Sequence, residues 1–275
     1  MSVLTENFTL ANGAVIPKLG FGTWQTPNEV APQAVREAVE LGYTHIDTAR
    51  AYQNEQGVGE GLRSTGIARD AVFITTKIPA EFKSYDQAKK SIETSLKELG
   101  ESRIDLLLIH APRPWAQMAD TTAPRYFEEN RAVWQAMEEA VDRGEVASIG
   151  VSNFQIDDLT NITDHCRIAP VANQIRFHVG YTQSDVVEYC AAHDILIEAY
   201  SPIGTGRLLK REDLIAMAAT YEVSVAQLCI RYALQKGCLP LPKSTHRTYI
   251  EQNTHVDFEI NATDMATLDA LVIAD

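Results

Sequence analysis

Residues 57–62 read GVGEGL, and the fold turns on whether these glycines form a phosphate-binding turn. A dinucleotide fingerprint runs G-x-G-x-x-G directly after a strand. Here the sixth position is Leu62, the third glycine falls one residue early at Gly61, and the preceding segment suits a helix and not a strand. GVGEGL therefore reads as small residues that let a helix pack on its sheet, and a doubly wound sheet loses its signature. Tyr85 and Lys89 have the Tyr-x-x-x-Lys spacing of short-chain dehydrogenases. They open a helical segment with no glycine fingerprint upstream, so the spacing reads as chance.

Outward from this stretch, short apolar runs alternate with longer stretches of helical period, the pattern of repeated βα units around a parallel sheet. After FTLANGAVIP, a hairpin turning at Asn12-Gly13, the strand candidates are KLGFGTW, YTHIDTA, VFITTKI, IDLLLIH, VASIGVSN, PVANQIR, ILIEAYS and CLPLPKS. Between them, SYDQAKKSIETSLKELG sets Ala88, Ile92, Leu96 and Leu99 on one face, starts at Ser84 and stops at Gly100. Residues 28–41 and 126–143 behave alike, with Val30, Ala34, Val35 and Ala38, then Phe127, Trp134, Met137 and Val141. No linker, repeat or low-complexity segment divides the chain. Eight strands alternating with helices over 275 residues predict one α/β domain spanning residues 1–275, a (β/α)8 barrel with an N-terminal β-hairpin.

Composition narrows the function. Lys plus Arg number 24 against 37 Asp plus Glu, a net charge of −13, and such a surface repels nucleic acid and anionic lipid. The four cysteines, Cys166, Cys190, Cys229 and Cys238, lack metal-ligand spacing and read as reduced core thiols. The start MSVLTENFTL has no basic segment followed by an apolar run, and no stretch approaches a span of about 18 apolar residues. The expectation is a cytoplasmic protein, a monomer or weak homo-oligomer, with no nucleic acid, membrane or metal among its partners.

In such a barrel the working groups stand at the C-terminal ends of the strands. The strands end, in turn, on Asp47 with Tyr52 beyond it, Lys77, His110, Ser152-Asn153, Gln174, Tyr200-Ser201 and Lys243-Ser244. Singly each reads as a cap or a loop residue. Together they gather a carboxylate, a phenol, an ammonium and an imidazole at one mouth. That set is a proton-transfer device, because a lysine cation lowers a phenol's pKa from about 10 toward working pH. Tyr52 can then give a proton to a carbonyl oxygen while His110 directs that oxygen.

The segments LGFGTW, GYTHIDTARAYQNE, ITTKI, LLLIH, GVSNF, NQI, AYSPIGTG and LPKS occur in the order found in the aldo-keto reductases, and the chain resembles that family across nearly its whole length. It is most similar to the prokaryotic branch of 2,5-diketogluconate and methylglyoxal reductases. The resemblance implies a hydride-transferring reductase of aldehydes, dicarbonyls, keto sugars or keto acids. It puts Asp47, Tyr52, Lys77 and His110 in the four catalytic positions, with Tyr52 as general acid. It also implies NADPH as cofactor: Ser152, Asn153 and Gln174 on the nicotinamide carboxamide, Tyr200 stacked on the ring with Gly22 and Thr23 beside it, and Ser201, Ile203 and Gly204 over the pyrophosphate. Lys243, Ser244, Thr245, Arg247 and Asn253 fall at the adenosine end. Tyr249 stands where many members carry an arginine and Gln252 where they carry a glutamate, so dual use of NADH is expected. Ala111 stands where the family usually has a tryptophan. That substitution predicts an open pocket walled by Trp24, Ala111 and Trp115.

Three other readings share these residues. A barrel glycosidase needs two carboxylates about 5–10 Å apart, and Asp47 and Glu198 are the pair placed for it. A metal hydrolase wants paired histidines on one strand, whereas His45 is paired only with Asp47. A non-catalytic cofactor-sensing subunit would look the same, and turnover would separate it.

Overall fold

The computed structural model describes residues 2–273. β1 (Asn7–Thr9) and β2 (Val15–Pro17) form the expected antiparallel hairpin. Gly13, at φ +84°, turns it, and its N–H donates to the Leu10 carbonyl at 2.8 Å. Eight parallel strands follow in sequential order: β3 (Phe21–Gly22), β4 (His45–Asp47), β5 (Phe73–Ile78), β6 (Ile104–Ile109), β7 (Val146–Ser152), β8 (Ala172–Arg176), β9 (Leu196–Tyr200) and β10 (Leu239–Leu241). The ring closes where the Gly20 and Gly22 N–H groups donate to the Pro240 and Pro242 carbonyls at 3.1 and 3.0 Å. β3 is shorter than KLGFGTW because Lys18 bonds back to the Glu6 carbonyl and belongs to the hairpin's surroundings.

Outer helices follow each strand: α1 (Ala31–Glu40), α2 (Glu55–Thr65), α3 (Tyr85–Leu99), α4 (Phe127–Asp142), α5 (Ile156–Thr163) and α6 (Ser184–Ala192). β9 is followed by two, α7 (Glu212–Thr220) and α8 (Val225–Gln235), and β10 by α9 (Arg247–Gln252) and α10 (Ala262–Asp269). α3 begins and ends as its sequence predicts, with the Ser84 hydroxyl accepting from the Gln87 N–H and Gly100 at φ +71°. The GVGEGL glycines lie in α2, but they serve helix–helix contact and not the sheet. A Cβ on Gly59 would stand 2.0 Å from the Leu99 carbonyl oxygen at the end of α3, and one on Gly61 would stand 2.8 Å from Val35 Cβ on α1. Tyr85 hydrogen-bonds Glu139 on α4, in the outer ring.

Two apolar cores result. The larger lies between helices and barrel. The smaller fills the lower barrel with Leu106, Leu108, Leu239 and Leu241 and is capped from below by Leu10 and Ile16 of the hairpin. The Asn12 side chain pins that hairpin to Ser148 on β7 at 3.0 Å. The hairpin thereby covers the lower end of the barrel. Cys190, Cys229 and Cys238 are buried, Cys166 is half-buried, and all four are free thiols. No single helix among the described residues is long and apolar enough to cross a membrane.

Candidate active site

The upper strand ends and the loops beyond them enclose a cleft of about 900 Å³. Its floor begins with Asp47 on β4 and Lys77 on β5. Both Asp47 oxygens accept from Lys77 Nζ at 2.8 Å, and the third Lys77 hydrogen goes to the Thr48 carbonyl at 2.7 Å. Lys77 is wholly buried, and burial, the largest single influence, favours the neutral amine, but Asp47, Tyr52 and Glu198 together outweigh it and the ammonium's pKa is raised.

Tyr52 stands over this pair, its ring centre 5.1 Å from Lys77 Nζ and edge-to-face with His110 at 5.5 Å. The phenol does not titrate as the sequence suggested. Burial, the largest influence, lifts its pKa, Lys77 pulls it back, and the Asp47 charge offsets part of that pull, leaving it above the ordinary value. Tyr52 therefore carries its proton throughout the neutral range. His110 is lowered to about 3 by burial and by Lys77, so it is a neutral imidazole.

The motif that presents Tyr52 is fixed by its neighbours. After the short 3₁₀ turn Arg50–Tyr52, Gln53 reverses the chain at φ +58°. Buried Asn54 then accepts from the Thr48 hydroxyl at 2.7 Å and donates to the Thr23 and Thr26 carbonyls at 2.9 and 3.0 Å. Glu55 accepts from Thr76 on β5 at 2.6 Å. The Asn-Glu pair thus ties the turn to three strand ends.

The opposite wall comes from β7, β8 and β9. Ser152 donates to the Gln174 carbonyl at 2.8 Å. Asn153, in left-handed conformation at φ +61°, donates to the His110 carbonyl at 3.0 Å and accepts from the Tyr200 hydroxyl at 2.8 Å. Ser201, Ile203 and Lys243 carry the wall to the far end, and Gly22, Trp24 and Trp115 line the cleft as well. Trp115 packs edge-to-face on His110 at 5.2 Å.

Other sequence candidates lie off this surface. Thr23 is buried with its hydroxyl on the Asp47 carbonyl, 2.9 Å. Gly204 and Asn253 are buried. Ser244 and Thr245 follow Lys243, half-buried. Arg247 pairs with Glu40 on α1 at 2.7 Å. Ala111 requires a correction: it is wholly buried and absent from the cleft wall, its carbonyl taken by Lys83 Nζ at 2.9 Å. Glu198 is likewise buried beneath the cleft floor and is no second carboxylate at the mouth. Sequence reasoning placed the SPIGTG loop, residues 201–206, over the cleft but missed Gln25, Ala51, Arg176 and Leu241 in the lining. Arg176 was within reach, since it follows Gln174 by one strand period. Among the described residues no group of three His, Cys, Asp or Glu is placed to hold a metal ion.

The model of the aldo/keto reductase family matches residues 18–273. The chain belongs to that family. It is 36% identical over 270 residues to a glyoxal reductase of Bacillus subtilis (strain 168), covering 98% of this chain and 93% of that protein. It is 37% identical over 268 residues to the 9,11-endoperoxide prostaglandin H2 reductase of Trypanosoma cruzi, covering 96% and 90%. Among solved structures, an aldo/keto reductase from Brucella melitensis matches with a TM-score of 0.88 at 37% identity, over 96% of this chain and 98% of that one. A Bombyx mori aldo-keto reductase in complex with NADP matches with a TM-score of 0.86 at 33% identity, over 96% and 92%. As an aldo/keto reductase, the chain is an oxidoreductase of a family that uses nicotinamide cofactors.

Proposed function

We propose that this aldo/keto reductase uses NADPH to reduce the carbonyl of small aldehydes and dicarbonyls, with keto sugars and keto acids as further candidates. The observation that carries the reading is the Tyr52 phenol, protonated at neutral pH, set between an Asp47–Lys77 pair and a neutral His110 at the floor of a large cleft. Tyr52 gives its proton to the substrate oxygen as negative charge grows there. Lys77, held charged by Asp47, stabilises the phenolate left behind. His110, neutral at working pH, orients the carbonyl by donating a hydrogen bond. Trp24 and Trp115 supply apolar walls.

The cleft suits a nicotinamide dinucleotide. Ser152, Asn153 and Gln174 set polar groups beside the flat Tyr200 ring, matching a planar ring with a carboxamide, and Lys243 offers a cation at the far end. When bound, the reduced cofactor supplies the hydride. Gly22 and Thr23 would adjoin the ring, and Ser201, Ile203 and Gly204 would cover the pyrophosphate. Lys243, Ser244 and Thr245 would receive a 2′-phosphate, with Asn253 behind them. Arg247 would have to leave Glu40 to join them, which keeps NADH a second usable cofactor. The B. subtilis relative named glyoxal reductase and the B. mori structure holding NADP support the same choice.

The test is loss of reduced-nicotinamide absorbance, with NADPH and NADH in turn, against aldehydes, dicarbonyls and keto acids. Turnover of dicarbonyls with NADPH is expected. Tight NADPH binding with no turnover across the panel would leave a cofactor-sensing protein instead.

A further inference from the structure

Glu198, at the centre of β9, touches the machinery without lining the cleft. It is wholly buried and is the register partner of Gln174 on β8. Its Oε2 accepts from Gln174 Nε2 at 2.9 Å, and the same nitrogen donates to Asp47 Oδ2 at 2.8 Å. An amide nitrogen has two hydrogens, and both are committed to carboxyl oxygens below the floor. The amide oxygen is the atom that remains for the cleft. Inverting the amide would set that oxygen against the Asp47 carboxyl oxygen that accepts from Lys77.

We propose that Glu198 is a positioning residue: with Asp47 it locks the Gln174 carboxamide with its oxygen toward the cleft, so that the cleft selects a cofactor ring whose substituent donates an N–H. The proposal rests on the nicotinamide reading above and sharpens it, because it assigns recognition to the –NH2 of the nicotinamide carboxamide. The charged and titratable groups facing Glu198 are His45 and Asp47 on β4 and Lys77 on β5, with Tyr52 beyond them. His45 Nε2 lies 4.0 Å from Glu198 Oε1 but bonds to the Thr75 hydroxyl at 2.9 Å. Burial and Lys77 lower His45 to about 3, so the contact is not an ion pair. Glu198 Oε1 has no hydrogen-bond partner. Burial first, then the Asp47 charge, push the Glu198 carboxyl up to about 7, so its charge changes in the neutral range. Ionised, it holds the Gln174 N–H more strongly than when protonated. The lock loosens as pH falls below that point.

Three probes test this by quenching of tryptophan fluorescence, Trp24 and Trp115 being at the cleft: NADPH, its 3-acetylpyridine analogue, which keeps a carbonyl but has no N–H, and 2′,5′-ADP, which carries only the phosphate end. Wild type is expected to bind NADPH about tenfold more tightly than the analogue at pH 8, with the gap narrowing toward pH 6. Glu198→Leu, which leaves only the Asp47 half of the lock, should narrow the gap while 2′,5′-ADP affinity stays at the wild-type value. Glu198→Gln, which keeps an acceptor but cannot titrate, should keep a gap that no longer varies with pH. An analogue that matches NADPH in wild type would overturn the proposal. So would an undiminished gap in Glu198→Leu, or a pH-dependent gap in Glu198→Gln, and the last result decides even if the leucine variant does not fold. Those failures leave the nicotinamide reading standing, whereas a wild type that does not bind NADPH overturns both.

Discussion

Tyr52 and Lys243 are the side chains on which the proposed reaction and cofactor choice depend. Tyr52→Phe deletes one hydroxyl and keeps the ring that lies over Lys77 and against His110. Carbonyl reduction is expected to fall about 10²–10⁴-fold, the usual contribution of a general acid, with NADPH affinity nearly unchanged. Steady-state turnover beside fluorescence titration of the cofactor checks both halves, and near-normal turnover would remove Tyr52 from the role. Lys243 is half-buried, and burial lowers its pKa, so it is poised to gain from a phosphate. A charged hydrogen bond is worth about 1.5–3 kcal/mol. In Lys243→Ala the NADH-to-NADPH ratio of dissociation constants should drop by about 10–100-fold. A ratio that does not move would place the 2′-phosphate elsewhere.

The loop after β6 shows how an element constrains a residue. Lys83 Nζ bridges the Ala111 carbonyl and Asn130 Oδ1 at 2.9 and 2.8 Å, and Asn130 returns a bond to the Pro112 carbonyl at 2.9 Å. Ala111 is packed beneath this clamp with no room for an indole. Ala111→Trp is therefore expected to cost about 1–3 kcal/mol by overpacking, read as a lower denaturation midpoint, before any change in substrate ranking. An undiminished midpoint with a shifted ranking would restore the residue to the pocket. The sequence carried the strand ends well, because a two-residue period in a barrel decides which side chains face inward: Asp47, Lys77, Gln174 and Tyr200 all followed from it. It carried less where tertiary packing decides. Whether Ala111 faces cleft or core depends on Lys83 and Asn130, distant in sequence. The α2 glycines were read as packing a helix on its sheet, but their true neighbours, α1 and the end of α3, lay beyond local pattern. The lift of the Tyr52 phenol was illegible for a related reason: burial, which outweighs Lys77 there, has no local sequence signature.

At the scale of the molecule, a polar layer lies inside an otherwise apolar barrel, and its protonation couples to folding. Glu198 has a folded pKa of about 7 against 4.5 unfolded. A carboxyl raised in this way contributes stability that is full below 4.5 and lost as pH rises through 7. His45 and His110, lowered from 6.5 to about 3, act in the other direction, their contribution present above 6.5 and lost toward 3. The Glu198 contribution drains away mainly between pH 5 and 7, so over that interval the Tm of wild type should fall by several degrees relative to that of Glu198→Gln, on the order of 2 kcal/mol. A Tm difference between the two proteins that does not change from pH 5 to 7 would refute the assignment. The closure of the ring has its own consequence. Residues near 20 and near 240 are joined by two one-way bonds, since Pro240 and Pro242 have no N–H to return. During synthesis the sheet stays open until Pro242 has emerged, with the acidic and basic groups of its interior wet and unsealed. In the finished molecule the same line is the seam along which the cylinder opens, so deuterium should enter at Gly20 and Gly22 well before the amides of β6.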